Sequence, residues 1–223
     1  MSVHAEPVPG AGRADGGHVE VAGEQELREI LGEPMDRAIT KERATLHPHH
    51  VAWIERSPFC LIATSDAEGR CDVSPKGDPP GFVKVLDERT LAIPERPGNR
   101  RADGYLNMLA NPRIGLIFFV PGREDTLRVN GTVRILRDAP FFDLMEVKGH
   151  RPQLALLVGT EEIFFHCAKA FKRSRLWKHE EWPDPAELPS VARLSKDIAA
   201  PETDLAELER YYGPEYEKKL YGY

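Results

Sequence analysis

The residues with the clearest capacity for chemistry are Gly98-Asn99-Arg100-Arg101, set between the apolar stretch Leu91 to Pro94 and the helix-like run Ala102 to Ala110. Adjacent guanidinium groups give forked, charge-assisted bonds to a phosphate or carboxylate. A helix start adds unpaired N–H donors and partial positive charge. Together these make an anion site. A solvated basic turn would carry the same residues, and the stretch alone does not separate the two readings. It has neither the Gly-Lys-Ser/Thr ending of a Walker loop nor the G-x-G-x-x-G spacing of a dinucleotide fold.

A second candidate is Asp72-Val73-Ser74-Pro75-Lys76-Gly77, where Lys76 ends a strand and opens a loop. A lysine there can meet an anion or an electron-rich ring, or simply face solvent. His166-Cys167, followed by Lys169, is a poor chelate because adjacent strand residues face opposite ways. In His47-Pro48-His49-His50 the proline breaks i, i+4 helical geometry, so no metal is expected. Cys167 lacks a Cys-His-Asn context for nucleophilic work. Trp177 and Trp182 could cover a flat ring, close a dimer interface or pack a terminal helix. No Ser-His-Asp order or catalytic carboxylate pair stands out, so no catalytic residue is assigned. One anion site with little acid–base machinery suits a cofactor that brings its own chemistry.

Those residues need a scaffold, and the bulk numbers bound it. The chain has 223 residues, 41% hydrophobic and 30% charged, with a formal net charge of −6. Such a chain buries a real core, and its acidic balance argues against a nucleic-acid partner. Cys60, Cys71 and Cys167 form no Cys-x-x-Cys pair, which predicts a reducing, cytoplasmic setting without disulfides. No apolar run approaches the length of a membrane span, and no signal-peptide pattern opens the chain.

Gly, Pro, Ala and charge dominate residues 1–23, which read as a disordered tail. Residues 24–57 read as N-terminal helices: 24–31, 35–46 and 48–56. From 58 to 177 short apolar strands and tight turns alternate, the mark of an antiparallel sheet or barrel with peripheral helices. Strands are expected at 59–65, 70–74, 82–86, 90–93, 114–120, 126–135, 154–158 and 162–165. Leu127, Val129, Gly131, Val133 and Ile135 alternate with polar neighbours, whereas 114–120 reads as buried on both faces. Asp138 is the expected N-cap of a helix running to Lys148. Residues 178–223, rich in proline, read as a helical tail packed on the barrel.

Taken together, Phe59-Cys60-Leu61-Ile62-Ala63-Thr64, Asp72 to Gly77, Asn99-Arg100-Arg101 ahead of a helix ending Ala110-Asn111-Pro112, and Arg128-Val129-Asn130-Gly131 resemble the pyridoxamine 5′-phosphate oxidase-like FMN-binding split barrels. Phe164-Phe165-His166-Cys167-x-Lys169-Ala170 is similar to a subgroup of uncharacterised FMN-dependent enzymes of that family. The resemblance spans roughly 48–177. It implies a six-stranded antiparallel split β-barrel and a homodimer with FMN at the interface. It also implies an oxidoreductase passing hydride between flavin and a small-molecule substrate. Relatives that hold deazaflavin, haem or other tetrapyrroles imply the alternative of a non-catalytic binding protein. By the resemblance, Val73, Ser74, Pro75 and Lys76 line the flavin, Pro94 and Glu95 run beside its ring, and Asn99, Arg100 and Arg101 hold its phosphate. Arg128 is a further contact, with His166, Lys169 and Trp177 supplied by the partner subunit. The oxidase's Arg-x-Val-Leu-x-Lys and Arg-Leu-x-Pro motifs have no counterpart here, so the resemblance does not extend to pyridoxamine phosphate as substrate.

Overall fold

A computed structural model describes residues 17–221, and the chain divides into two compact units at Thr40–Lys41. Residues 1–16 of the expected tail lie outside the described residues. Within the first unit, α1 (Glu24–Leu31) and α2 (Asp36–Ile39) form, and Leu27, Ile30 and Leu31 on α1 remain exposed. The helix expected over 35–46 is shorter than its pattern suggests. In the second unit, residue 43 leaves helical geometry to bridge Ile163.

The second unit opens with α3 (Pro48–Arg56), whose start explains the histidine cluster. The His47 ring accepts from the His49 N–H at 3.2 Å, and the His50 ring accepts from the His47 N–H at 3.2 Å. These are capping bonds that satisfy orphan helix donors. Burial, with the nearby His47 and Arg43, lowers the His50 pKa. Among the described residues no cluster of His, Cys, Asp and Glu could hold a metal ion.

Seven strands follow: β1 (Phe59–Ser65), β2 (Cys71–Gly77), β3 (Lys84–Asp87), β4 (Thr90–Pro94), β5 (Arg113–Phe119), β6 (Thr126–Leu136) and β7 (Ala155–His166). They form one antiparallel sheet in the order β2-β1-β5-β6-β7-β4-β3, with β2 and β3 at its ends. The expected six-stranded barrel is thus corrected to a seven-stranded sheet, and the expected pair of strands at 154–158 and 162–165 becomes one. Asn130 pairs with Glu162 and Gly131 with Thr160, so Glu161 is the extra residue of a bulge. The bulge lets a single long strand pair with both β6 and β4. Gly131 makes that crossing possible: a Cβ there would lie 1.9 Å from the Gly159 carbonyl oxygen.

The core lies on one side of the strands. Cys60 and Ile62 from β1, Ile114, Leu116 and Phe118 from β5, Leu127, Val129 and Val133 from β6, and Ile163 from β7 are buried together. β5 therefore alternates, which corrects its reading as doubly buried: Ile117 is 37% exposed. The helix expected after Asp138 is a 3-10 turn, Pro140–Met145, preceded by Ala139. Later come α4 (Asp103–Ala110), inserted between β4 and β5, and α5 (Lys169–Ser174), after β7. Beyond them lie α6 (Val191–Leu194) and α7 (Leu205–Tyr211). Among the described residues no helix is long and apolar enough to cross a membrane.

Candidate functional site

An apolar-floored cavity of about 970 Å³ opens between β2, the segment after β4, and α4. Its position follows from three local features. As an end strand, β2 tolerates Pro75, which cannot serve as a ladder donor. Alternation sends Asp72, Ser74 and Lys76 to the side shared with Thr64, Ile62 and Cys60, their register partners on β1. The chain then leaves β4 at Pro94 and runs irregularly to α4. Arg100 (φ 63°) and Ala102 (φ 60°) adopt left-handed backbone conformations. Each costs a non-glycine residue roughly 1–3 kcal/mol, a kind of strain that gathers at ligand-binding segments. Ala102 is the N-cap of α4 and provides no side-chain acceptor. The first N–H groups of this helix thus have no cap acceptor beside the basic turn.

The cavity's charges are organised into pairs. The Lys76 ammonium and the Tyr105 hydroxyl both donate to Glu95, and the Lys76 ammonium also lies 5.2 Å from the Tyr105 ring centre. Burial, then the Glu95 charge and hydrogen bond, raise the Tyr105 pKa far above a phenol's usual value. Below this cluster, burial pushes the Cys60 thiol up to about 12, against the opposing pull of Lys76. Cys60 therefore stays protonated and is no nucleophile. Arg101 donates to Asp103 at 2.8 Å, and its backbone N–H donates to the Asn99 side chain at 3.1 Å. The Asp103 hydrogen bond and charge, with a smaller contribution from Asp72, raise the Arg101 pKa. Ser74 donates to Asp72 at 3.1 Å. At the far wall, Arg96 donates to Asp78 at 2.6 Å and to the Met145 carbonyl at 2.6 Å.

The fold sorts the sequence-predicted residues into two groups. Ser74, Pro75, Lys76, Pro94, Glu95, Asn99, Arg100 and Arg101 all line the cavity. Val73 points to the opposite face of the sheet and is 59% exposed. Arg128 lies on that outer face too, because Ile117 pairs with Arg128 and Arg128 with Phe164. Its guanidinium sits 5.5 Å from the Phe164 ring centre. His166, two residues along the same strand, approaches the Phe164 ring at 6.1 Å. Lys169 opens α5, and the Trp177 indole donates to the Arg123 carbonyl at 2.6 Å. None of Arg128, His166, Lys169 and Trp177 lines the cavity.

Sequence reasoning missed Tyr105, Arg96, Asp78 and Tyr221. Tyr105 reads from its spacing as a helix-packing residue, and only the fold turns its hydroxyl toward Glu95. No local pattern joins Asp78 to Arg96, or either to Tyr221, whose hydroxyl donates to Asp78 at 2.5 Å across 143 positions of chain.

Comparison with known proteins supplies the family. The segment 46–167 matches the family described as pyridoxamine 5′-phosphate oxidase. No curated protein matches the chain. Among solved structures, a putative pyridoxamine 5′-phosphate oxidase from Lactobacillus delbrueckii is 24% identical, covering 55% of this chain and 95% of that one at a TM-score of 0.44. An FMN-binding protein from Syntrophomonas wolfei is 9% identical, covering 64% and 96% at a TM-score of 0.43. The heme storage protein HutZ of Vibrio cholerae is 15% identical, covering 54% and 93% at a TM-score of 0.38. With such low scores, the assignment rests on the matched segment, which takes in the whole sheet and more than half of the residues. The chain belongs to the pyridoxamine 5′-phosphate oxidase family.

Proposed function

We propose that this chain binds FMN in the cavity bounded by Lys76, Glu95 and the turn at 98–102, and that it passes hydride between that flavin and a small organic substrate. One observation carries the reading: Asn99, Arg100, Arg101, the uncapped start of α4 and Lys76 converge on one cavity. The donor set fits the group. Cations and helix N–H groups suit a phosphate, and about 970 Å³ is in the range of cofactor pockets. Bound FMN would supply the hydride chemistry; the chain's own residues bind, orient and hold charge. Arg100, Arg101 and Asn99 take the phosphate, with Arg101 turning from its exposed partner Asp103. Pro94 and Glu95 flank the ring, while Ser74 and Lys76 offer donors to its polar edge.

The split-barrel arrangement of the family, as a homodimer, completes the proposal. Phe59, Leu61 and Val73 share the outer face of the sheet with Ile117 and Phe119 by register, and Phe59, Val73 and Ile117 are exposed there. Arg128, His166, Lys169 and Trp177, which do not line the cavity of the single chain, are proposed to reach the cofactor from the second copy.

The test is titration of the flavin-free protein with FMN, followed by flavin fluorescence. Wild type is expected to bind, and the Arg100→Ala/Arg101→Ala double variant to bind at least about 100-fold more weakly, since each charge-assisted bond contributes about 1.5–3 kcal/mol. Equal affinity for both proteins contradicts the phosphate assignment.

A second reading is a non-catalytic holder of flavin, deazaflavin or a tetrapyrrole. Mutual engagement of Lys76, Glu95 and Tyr105 favours it, because those bonds occupy the groups that proton transfer would use. Tightly bound flavin that NADH, NADPH and a screen of chemical donors all fail to reduce would select this reading.

A further inference from the structure

The last described residue, Tyr221, sits in a built receptor on the wall of the cavity. Its hydroxyl donates to Asp78 at 2.5 Å. The Asp78 side chain is only 1% exposed, and its other oxygen accepts from Arg96 at 2.6 Å. The Tyr221 ring is half-buried and flanked by three side chains. His150 stacks on it with centroids 6.2 Å apart, the Arg96 guanidinium lies 5.7 Å from its centre, and the Lys148 ammonium 5.4 Å. These contacts combine a charge-assisted hydrogen bond with cation–π attraction. Arg96 ties the receptor to the cavity: it lines the cavity and stands ahead of the turn at 98–102. It also holds the Met145 carbonyl at 2.6 Å.

We infer that Tyr221 is a brace: docked between Asp78, Arg96, His150 and Lys148, the C-terminal segment fixes the cavity wall that leads into the basic turn, and its release loosens that turn. The turn needs such support. Among the described residues, its backbone bonds outside the sheet are those from the Glu95 N–H to the Leu154 carbonyl and, at the helix start, from the Leu106 N–H to the Ala102 carbonyl, both at 2.9 Å, and it holds the left-handed residues Arg100 and Ala102. Strained backbone of this kind persists only where surrounding structure over-determines it. Arg96 fastens the segment from the side opposite Glu95, which accepts from Lys76 and Tyr105, and Tyr221 both orients the Arg96 partner Asp78 and shields the pair from water. Removing the ring opens a desolvated ion pair to solvent, which weakens it. The effect on ligand retention rests on the FMN reading; the bracing itself does not.

The experiment follows hydrogen exchange of the backbone over 94–102 in the flavin-free, full-length protein, comparing wild type with Tyr221→Phe and Tyr221→Ala. The expected result is exchange several-fold faster in Tyr221→Ala, with Tyr221→Phe in between because it keeps the ring and loses only the hydroxyl. Protection of the central strands, measured in the same samples, reports that both variants are folded. Unchanged exchange at 94–102 in a folded Tyr221→Ala protein overturns the brace. A second arm measures FMN release from the loaded proteins, expected about 10-fold faster in Tyr221→Ala. Faster exchange with FMN bound by none of the three proteins, wild type included, upholds the brace and rejects the flavin reading. Faster exchange with unaltered FMN release overturns the coupling of brace to ligand.

Discussion

At the scale of single residues, the cavity is defined by what holds its charges in place. Glu95 accepts from Lys76 and Tyr105, so a carboxylate, an ammonium and a phenol share one small network. Tyr105 gives this network a pH signature. Its pKa is raised in the folded protein, first by burial and then by Glu95. A phenol in the unfolded chain releases its proton near pH 10, while the folded one keeps it. The unfolded state thus binds fewer protons above that pH, and stability falls as pH rises. Its contribution is complete below about pH 10 and is lost progressively above it. Urea unfolding midpoints at pH 8 and pH 10.5 are expected to drop more for wild type than for Tyr105→Phe; equal drops would remove Tyr105 from the account. Legibility at this scale was partial. The basic turn and Lys76 could be read because their residue types and neighbours are contiguous. Tyr105, Asp78 and Arg96 could not, because each acquires its role from a partner brought near by the sheet.

Among the elements, β6 and β7 carry the fold. Their pairing runs the length of both strands and absorbs one bulge at Glu161, opposite the close approach of Gly131 to Gly159. A methyl group at Gly131 meets backbone, which cannot rotate away as a side chain can. Gly131→Ala is therefore expected to destabilise the protein by roughly 2–4 kcal/mol, read as a lowered urea midpoint with an unchanged slope; a shift within error of wild type would contradict this packing. The alternation of Leu127, Val129 and Val133 made β6 readable in advance. The sequence pattern divides β7 in two because Gly159-Thr160-Glu161 lacks large apolar residues, and a bulge preserves the strand where the pattern breaks. β5 misled for the opposite reason: its continuous apolar run suggested burial on both faces, yet Ile117 is exposed in the isolated chain. The helix expected after Asp138 became a 3-10 turn, whose tighter winding places Phe142 and Met145 in a small second core cluster.

For the whole molecule, the proposed dimer rests on that exposed face. Phe59, Val73 and Ile117 are apolar and open on a surface bordered by Arg128. Light scattering is expected to give twice the chain mass of 25.1 kDa for wild type. Ile117→Asp, which buries an unpaired charge in the proposed interface, is expected to give the chain mass; a wild-type monomer at micromolar concentration would refute the dimer. The proposed chemistry requires the cavity to be a flavin site. The most direct measurement is the visible absorption spectrum of the freshly purified protein, with chemical identification of the chromophore released on denaturation. The account predicts a flavin spectrum and FMN in the released fraction. A protein that is colourless and takes up no added FMN, or one that releases a haem, would contradict it.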